Sequence, residues 1–427
     1  MFLLLFEDEC YVNFLPLTYT KPVYELKCGA YTLCDRLWRA LPEAKVALAC
    51  RSYLAKVISK LRPQAYVNRP DELSEEILLV NGRALPLQSG LAELAVKGTV
   101  WVKDNELVAC LLSGEEVREL WELIEQGRSN ELLTKLKEER EVREATGLRL
   151  IDHLWELVEL NPQLLGLDLS RNPGRIDGVV EDLAVIKGDR SRLTVEEGAE
   201  VEALSLIDLR EGPVFIGKGS RIEAGSRVVG PVYIGRNVVV QGAFIRKGCH
   251  IGDGCRLGGG GEVEETVLHG YTNKYHFGFL GHSYIGEWVN LAAGTTNSDL
   301  KNTYGTVKVK EGGRPVDTGL LKLGCFIADH VKTSIGTYIY TGVKVGVGSH
   351  IHGFITQDVP SFTIWALSLG KRPVELRLQS AVETARRMCS RRGVVFGEEE
   401  AKVLEEVFKA TEREREEVGV VKGEFKP

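Results

Sequence analysis

The chain has 427 residues, of which 44% are hydrophobic, and a formal net charge of −6 at pH 7. This length allows about two to three domains with large cores, and the acidic balance argues against a nucleic-acid-binding surface. The opening apolar run, 1–6, is followed at once by three acidic residues. It is too short for a signal peptide or a membrane span, so we predict a buried first strand and no membrane partner.

Residues 1–110 alternate between strand-like and helix-like segments. The predicted strands are Phe2–Phe6, Ala44–Ala49, Ile77–Val80 and Val100–Val102, and the predicted helices are Tyr31–Leu41 and Ser52–Leu61. Such alternation is typical of a parallel sheet with crossover helices. Apolar residues recur at helical spacing through 114–145, which predicts polar helices there. We therefore predict an α/β domain over residues 1–150.

Residues 151–185 contain Asn161-Pro162 and a further Asn-Pro-Gly turn signal at 172–174. Turn-forming dipeptides between patterned segments are typical of loops. We predict a linker over 151–185.

Aliphatic residues recur at every sixth position in the region that follows. The first series is Ile216, Ile222, Val228, Ile234 and Val240, and a second is Ile245, Ile251, Leu257 and Val263. This period is the signature of a hexapeptide β-helix, in which each repeat supplies one short parallel strand and a tight turn. A β-sandwich alternates with period two and has turns every 8–12 or so residues, which fits less well. We predict a β-helix over 186–370 and a helical tail over 371–427, with the tail solvated and packed on the β-helix end.

The repeats are interrupted at residues 271–307. This segment holds His276, several Asn residues and an Ala-Ala-Gly-Thr turn that a β-helix scaffold does not need. Departures from a structural repeat are where function is usually placed. We therefore expect the functional residues of this half in or near the interruption.

Four local phrases resemble a known family. They are Leu17–Pro22, Val80–Arg83, Phe279–Asn290 and Asp299–Thr306. The β-helix half resembles the acetyltransferase domain of the bifunctional N-acetylglucosamine-1-phosphate uridyltransferase/glucosamine-1-phosphate N-acetyltransferase enzymes, in a variant branch found in many bacteria and archaea. The N-terminal half looks like the nucleotidyltransferase domain of that group in shortened form. The resemblance implies a left-handed β-helix, a homotrimer with the acyl site between subunits, and acetyl-CoA as a substrate.

The resemblance assigns three residues to the acyl-transfer site. His276 matches the family's general base, and histidine suits that task because its charge changes near neutral pH. Asn290 matches an asparagine that contacts the sugar. Ala293 matches the turn whose backbone meets the thioester of acetyl-CoA, where an exposed N–H can stabilise an oxyanion.

Further residues match the family's contacts to phosphate. Arg246 matches an arginine that holds the sugar phosphate, for which a guanidinium is well shaped. Lys371 and Arg372 fall where the family has a basic residue for the coenzyme A tail. One position departs from the family, because Glu264 stands where a lysine contacts the acceptor. A carboxylate there would repel a phosphate, so the acceptor sugar stays open.

The N-terminal half departs further from the family. It lacks the Gly-rich loop that cradles a triphosphate, although Lys21 stands where the family has a phosphate-contacting lysine. Asn81 and Arg83 are predicted to line the sugar-phosphate site. Arg83 replaces the aspartate that holds Mg²⁺, and the reaction normally needs that metal. Mg²⁺ is therefore expected only if this domain is active.

Two hypotheses from different classes follow. The first is a transferase of nucleotide-sugar biosynthesis that acetylates an amino sugar phosphate and joins UTP or dTTP to a sugar-1-phosphate. The second is a non-catalytic sugar-nucleotide-binding regulatory protein on a trimeric β-helix. A metal hydratase that uses histidines between subunits is disfavoured, because the histidines lack a three-ligand spacing.

The sequence also gives expectations for the cysteines, the partners and the metal ligands. The nine cysteines are scattered without a Cys-x-x-Cys pair, so we expect reduced thiols in a cytoplasm and no zinc-finger spacing. The partners expected are a small sugar phosphate and a nucleotide, with no nucleic acid. The sequence leaves any metal ligands undetermined.

Overall fold

The computed structural model describes residues 1–86, 90–171 and 173–425. The chain forms two compact units. The α/β unit comprises Met1–Lys27, Tyr31–Leu154 and Glu398–Val403, and the β-helix unit comprises Cys28–Ala30, Trp155–Gly397 and Leu404–Pro427. In the described residues, no helix is long and apolar enough to cross a membrane.

The α/β unit is built on a seven-stranded sheet. Across the sheet, the strands are Glu141–Glu144, Thr99–Lys103, Glu106–Leu112, Ile77–Asn81, Phe2–Phe6, Lys45–Leu48 and Tyr66–Val67. The first strand of the chain, Phe2–Phe6, is entirely buried and pairs in parallel with Lys45–Leu48 and Ile77–Asn81. Its unbroken apolar sequence suits a strand that is covered on both faces. The predicted buried first strand is confirmed.

Helices and short strands complete this unit. The α-helices are Leu33–Ala40, Ala55–Leu61, Gly114–Glu125 and Ser129–Lys137; the 3₁₀ helices are Glu9–Phe14, Leu17–Tyr19, Val23–Glu25, Ser52–Leu54, Pro70–Glu72 and Leu91–Leu94; the short strands are Lys27–Cys28, Tyr31–Thr32, Ala84–Pro86 and Leu148–Leu150. The helical prediction over 114–145 is wrong at its end, where Glu141–Glu144 forms an edge strand with all four residues exposed. Charged residues commonly protect such edges from pairing with other chains.

The β-helix unit has three faces of parallel strands. The first face comprises Leu193–Val195, Val214–Ile216, Val232–Ile234, Cys249–Ile251, Val267–Gly270, Tyr284–Glu287, Phe326–Ile327 and Lys344–Val345. The second comprises Val179–Val180, Glu200–Val201, Arg221–Glu223, Val239–Gln241, Arg256–Gly258, Asn273–Lys274, Lys332–Thr333, His350–Ile351 and Thr363–Trp365, with Val374–Glu375 added antiparallel. The third comprises Val185–Lys187, Leu206–Asp208, Arg227–Val229, Phe244–Ile245, Gly261–Glu264, Gly278–Gly281, Thr296–Asn297, Tyr338–Ile339 and Phe354–Ile355.

The aliphatic series of the sequence forms the interior of the coils. Ile216 pairs with Ile234, Ile234 with Ile251, Ile251 with Leu268, and Leu268 with Ile285, and all five side chains are fully buried. Each such burial stabilises the fold by about 1.5–3 kcal/mol. Together the three faces confirm the predicted left-handed parallel β-helix.

The departure from the coils is shorter than the interruption predicted at 271–307. Strands continue through Thr296–Asn297, and the chain leaves the coil only afterwards, through the antiparallel hairpin of Lys308–Glu311 and Arg314–Asp317. The 271–297 segment thus keeps the β-helix path while carrying unusual side chains outward.

Helices lie on both sides of the coils in sequence. They are Glu156–Glu159 and Asn161–Ser170 before the coils, and Leu378–Ser390, Glu398–Ala410 and Glu412–Glu417 after them, with 3₁₀ helices at Arg190–Arg192 and Leu367–Leu369. Two of these helices lie in the segment for which the sequence predicts a linker. The boundaries between domains stay a prediction. We call Leu378–Ser390 the first tail helix.

Candidate active site

The β-helix unit contains a cavity of about 660 Å³. Three of the residues predicted for acyl transfer, His276, Asn290 and Ala293, lie in its wall. The other wall comes from the first tail helix and the residues after it, through Thr384, Met388 and three arginines. The structure therefore brings together the core of the predicted site and adds a helix that the sequence had assigned to a solvated tail.

His276 follows the strand Asn273–Lys274 and presents an exposed imidazole. Its backbone is fixed by the fully buried Lys274, which donates a hydrogen bond from Nζ to the His276 carbonyl oxygen at 2.6 Å. Burial lowers the pKa of Lys274 to about 8. The Tyr275 ring packs edge-on against the imidazole with centroids 5.9 Å apart. The backbone is thus fixed while the imidazole stays open to a substrate.

Asn290 belongs to a chain of side-chain amides. Asn273 donates from Nδ2 to Asn290 Oδ1 at 3.3 Å, and Arg392 donates to Asn273 Oδ1. The bond from Asn273 uses the oxygen of the Asn290 amide as an acceptor. Within the described residues its two N–H groups have no recorded partner, so they are available to hydroxyl or phosphate oxygens of a ligand.

The loop at Ala293 is tied down on both sides. Ala292 donates from its backbone N–H to Thr333 Oγ1 at 2.9 Å, and the Ala293 carbonyl accepts from Gly336 N at 2.8 Å. Gly294 N bonds to the Phe277 carbonyl at 3.0 Å. The Ala293 N–H itself has no recorded partner in the part of the chain that the structure describes. A backbone N–H in a fixed loop of a cavity wall is the type of donor that an oxyanion site uses.

Five cationic side chains also line the cavity. They are Arg256, Lys332, Arg387, Arg391 and Arg392. No carboxylate is found among the described lining residues. Sequence reasoning missed all five; the one available signal was the adjacent pair Arg391-Arg392, which a helical tail also explains.

Lys332 is only partly exposed. Its Nζ donates to the Trp288 carbonyl at 2.9 Å and to the His330 carbonyl at 2.8 Å. Burial of the ammonium group lowers its pKa to about 7, although Cys389 and Asp329 act in the opposite direction. Near neutral pH this lysine therefore exchanges a proton, in the wall of the same cavity as His276.

Substituting Lys332 by methionine should change how stability depends on pH. The folded protein releases this proton near pH 7, whereas an unfolded lysine holds it to about pH 10.4. Between these values the unfolded state binds one more proton, so the wild type should gain stability over Lys332→Met by about 1.4 kcal/mol per pH unit. Denaturant unfolding at pH 7–9.5 measures this, with exposed Lys371→Met as the control. Parallel stability curves for the wild type and Lys332→Met would contradict the assignment.

Three other predicted residues lie outside the cavity wall. The Arg246 guanidinium is paired with Glu264 at 2.8 Å and with Glu262 at 3.2 Å. A phosphate would have to displace these carboxylates. Lys371 and Arg372 are exposed in the loop before Val374–Glu375. The predicted phosphate and coenzyme A roles of these three residues stay predictions.

His282 sits in an acidic cluster near the departure from the coils. Its Nδ1 lies 2.8 Å from Asp299 Oδ2 and its Nε2 lies 3.3 Å from Glu265 Oε2. Burial alone would lower the pKa of His282, but the two carboxylates outweigh it and raise the pKa to about 9. The imidazolium is thus charged at neutral pH, which makes His282 a structural cation rather than a base.

Asp299→Asn should lower the pKa of His282 from about 9, because the carboxylate that lies 2.8 Å from Nδ1 loses its charge. The His282 pair stabilises the wild type fully below the unfolded histidine pKa of about 6.5, and that stability is lost as pH rises through 9. Between about pH 6.5 and about pH 9, the Asp299→Asn variant should therefore lose less stability than the wild type. An NMR titration of the imidazole protons measures the midpoint, and an unchanged midpoint would contradict the pairing.

The α/β unit has its own cluster of charges around Arg83, which is fully buried. The guanidinium bonds to both oxygens of buried Asp8 at 2.6–3.0 Å and also to the carboxylates of Glu106 and Asp152. Asn81 donates to the same Asp8 at 2.8 Å. Asn81 and Arg83 therefore share one buried carboxylate, while their predicted place in a sugar-phosphate site stays a prediction.

This arrangement bears on the Mg²⁺ expected for an active nucleotidyltransferase. Oxygens of Asp8 and Glu106 and the sulfur of Cys10 lie close enough to hold a metal ion. The Arg83 guanidinium, however, already bonds to both carboxylates. A divalent cation does not fit beside it, because the arginine supplies the positive charge that the carboxylates require.

Lys21 belongs to the same unit and is largely buried. The loop that carries it is anchored by Arg51, which donates to the Lys21 carbonyl at 3.0 Å and to the Thr18 carbonyl at 2.6 Å. Arg51 in turn pairs with buried Glu7 at 3.0 Å. These bonds fix the backbone of the loop at residues 17–22. A phosphate contact of Lys21 stays a prediction.

Comparisons with known proteins bear on both units. A family model described as sugar nucleotidyl transferase matches residues 3–173. The bifunctional sugar-1-phosphate nucleotidylyltransferase/acetyltransferase of Sulfurisphaera tokodaii is 34% identical over 185 residues, which are 42% of this chain and 39% of that protein. The match thus spans about two fifths of the curated relative.

Solved structures resemble the chain more distantly. The UDP-N-acetylglucosamine acyltransferase of Francisella novicida is 14% identical with a TM-score of 0.25, over 57% of this chain and 94% of its own. The enzyme of that name from Campylobacter jejuni is 16% identical with a TM-score of 0.20, over 56% and 83%. A polysialic acid O-acetyltransferase is 14% identical with a TM-score of 0.24, over 53% and 90%. The β-helix assignment rests on the strand pairings themselves. Residues 3–173 of this chain are similar to the sugar nucleotidyl transferase family, and a left-handed β-helix follows them.

Proposed function

We propose that the chain is a transferase of nucleotide-sugar biosynthesis. In this proposal the β-helix unit moves an acetyl group from acetyl-CoA to the amine of an amino sugar phosphate. The observation that carries it is that one cavity gathers His276, Asn290 and the Ala293 N–H, which has no recorded partner among the described residues. The name of the Sulfurisphaera tokodaii relative, which pairs nucleotidylyl transfer with acetyl transfer, supports the same combination.

The proposed mechanism is direct transfer. His276 accepts a proton as the acceptor amine attacks the thioester carbonyl, and the Ala293 N–H stabilises the negative charge on the carbonyl oxygen. The tetrahedral intermediate then collapses, the carbon–sulfur bond breaks, and His276 returns the proton to the departing thiolate. Asn290 orients the sugar through its amide N–H groups.

The cysteines support a mechanism without an acyl-enzyme. No cysteine is found among the described residues that line the cavity, and burial raises the pKa of Cys249 and Cys325 to about 12. A thiol that stays protonated is a poor nucleophile. None of the nine cysteines, all of which lie in the described residues, forms a disulfide, and we propose a reducing, cytoplasmic location on this basis.

The exposed apolar residues beside the cavity support a homotrimer. Phe277, next to the candidate base, is 62% exposed, and Ile335 of the cavity wall is 78% exposed. Tyr338 and Phe354 stack on one face with ring centroids 5.2 Å apart, and both are exposed. A second subunit on this face would cover apolar surface and close the site. Light scattering should give three times the chain mass, and a monomer at micromolar concentration would exclude this assembly.

For the α/β unit we propose transfer of a uridylyl or thymidylyl group to a sugar-1-phosphate, with Lys21 on phosphate and Asn81 and Arg83 near the sugar phosphate. The buried Arg83 ion pairs favour a second candidate for this unit alone, namely sugar-nucleotide binding without catalysis. Pyrophosphate release from UTP or dTTP separates the two. Release that depends on a sugar-1-phosphate and falls in Lys21→Ala supports catalysis, and binding without release supports the regulatory candidate.

The experiment that tests the acyl-transfer proposal is an acceptor panel. The protein is incubated with acetyl-CoA and hexosamine phosphates, and the products are identified by mass spectrometry. A hexose phosphate with a hydroxyl in place of the amine serves as the matched control acceptor. An N-acetylated product from at least one amino sugar is expected. Absence of product with the whole panel would overturn the proposal.

A further inference from the structure

The cationic wall of the cavity is not used by the proposed proton transfer. Arg256 projects from the coil, and Arg391 and Arg392 follow the end of the first tail helix. Arg256 and Arg391 have no recorded ion-pair partner among the described residues. The chain as a whole is acidic, with a net charge of −6, so an excess of positive charge at one cavity is a local feature rather than a reflection of composition.

Arg392 is held in place by neutral acceptors. It donates to the Gly254 carbonyl at 3.3 Å and to the Asn273 side-chain oxygen, which belongs to the amide chain that ends at Asn290. Burial and the nearby charges of Arg256 and Arg391 lower the pKa of Arg392. The charges of Arg256 and Arg391 thus oppose that of Arg392, and no carboxylate is found among the described residues of the wall. A bound anion would relieve this repulsion.

Arginines at a helix C-terminus have another explanation, because they compensate the helix dipole. That explanation covers Arg391 and Arg392 but not Arg256, which comes from the strand Arg256–Gly258 on the other wall. The helix dipole therefore does not explain why arginines from both walls meet in one cavity, whereas a bound anionic ligand does.

We infer that a phosphate group of a substrate binds in this cavity between Arg256, Arg391 and Arg392, so that the tail after the β-helix forms part of the active site. Guanidinium groups suit phosphate because their N–H forks match its oxygens. This inference rests on the proposed function and names the group that the cavity recognises. It also supplies a phosphate site in the cavity itself, whereas Arg246 is engaged by two carboxylates.

Two substrates of the proposed reaction carry phosphate, namely the acceptor sugar and coenzyme A. Binding is therefore measured by isothermal titration calorimetry with two probes, glucosamine-1-phosphate and adenosine 3′,5′-bisphosphate. The full-length His276→Ala variant is used so that no turnover occurs and the result does not depend on acetyl transfer. Arg392→Gln in that background should weaken binding of at least one probe about tenfold or more, which corresponds to about 1.4 kcal/mol.

The matched control is Arg386→Gln, which removes an exposed charge from the first tail helix outside the cavity wall. It should leave both affinities unchanged. Arg256→Gln repeats the test from the opposite wall, in case Arg392→Gln lowers the melting temperature. Loss of the sugar-phosphate probe alone identifies the acceptor as the source, and loss of the bisphosphate identifies the acyl donor. Equal affinities in the Arg392, Arg256 and Arg386 variants, or no binding of either probe, would overturn the inference.

Discussion

Replacing His276 by alanine should lower the rate of acetyl transfer by about 10²–10⁴-fold, the usual contribution of a general base. An ammonium group has no lone pair with which to attack a thioester, so the acceptor must lose a proton at the reaction site. His276 is the only histidine among the described residues of the cavity wall. The rate is measured with saturating acetyl-CoA and the acceptor that the panel identifies.

The fold should survive this change, because the imidazole is exposed and Lys274 holds the backbone through the His276 carbonyl rather than through the ring. His352→Ala serves as the control, since this histidine does not line the cavity. It should keep the wild-type rate. If His276→Ala also kept that rate on the true acceptor, His276 would be structural and the mechanism would be wrong.

Replacing Arg83 by methionine should lower the free energy of unfolding of the α/β unit by about 3–5 kcal/mol, the usual cost of leaving a buried charge without its partner. Asp8 is 1% exposed and would lose the guanidinium that bonds to both of its oxygens. Hydrogen exchange in the strand Ile77–Asn81 measures the effect within this unit.

Two further variants sharpen this test. Arg128→Met removes an exposed arginine that pairs with Glu131, and a surface pair of this kind contributes little to stability because solvent screens it. The double variant Asp8→Asn/Arg83→Met should recover part of the loss, because the carboxylate that needed the arginine is gone. Equal effects of Arg83→Met and Arg128→Met would show that the buried ion pairs are not important for stability.

The β-helix was predictable from sequence because its rule is local. Each inward position repeats after six residues, and Ile216, Ile222 and Val228 duly fall on three successive faces. No long-range information is needed to see such a period. The buried strand Phe2–Phe6 was predictable for a similar reason, because an unbroken apolar run is typical of a strand that is covered on both faces.

The elements that sequence reasoning missed depend on distant partners. Glu141–Glu144 has a charged sequence and becomes a strand only because it pairs with the edge of Thr99–Lys103. The helix Asn161–Ser170 begins at an Asn-Pro pair that looked like a loop, but Asn161 bonds to Gly29 N and to the Gly248 carbonyl. Gly29 and Gly248 are distant from Asn161 in the sequence, so the residues around Asn161 do not reveal these bonds.

The candidate site was predictable only in part. The family resemblance located His276, Asn290 and Ala293, which the fold brings to one cavity. The arginines of the opposite wall come from far along the chain, and helical spacing alone cannot place a tail against a coil. Arg246 was a reasonable phosphate ligand by type, but Glu264 on the next coil pairs with it.

The most direct test of acyl transfer in the cavity is the time course of thiol release from acetyl-CoA, with and without the amine acceptor. Direct transfer through His276, with no cysteine among the described residues of the wall, predicts steady release that requires the acceptor and yields one acetylated amine for each thiol. A burst of thiol without acceptor would indicate a covalent acyl-enzyme. Such a burst, or a release rate that the acceptor does not change, would contradict the account.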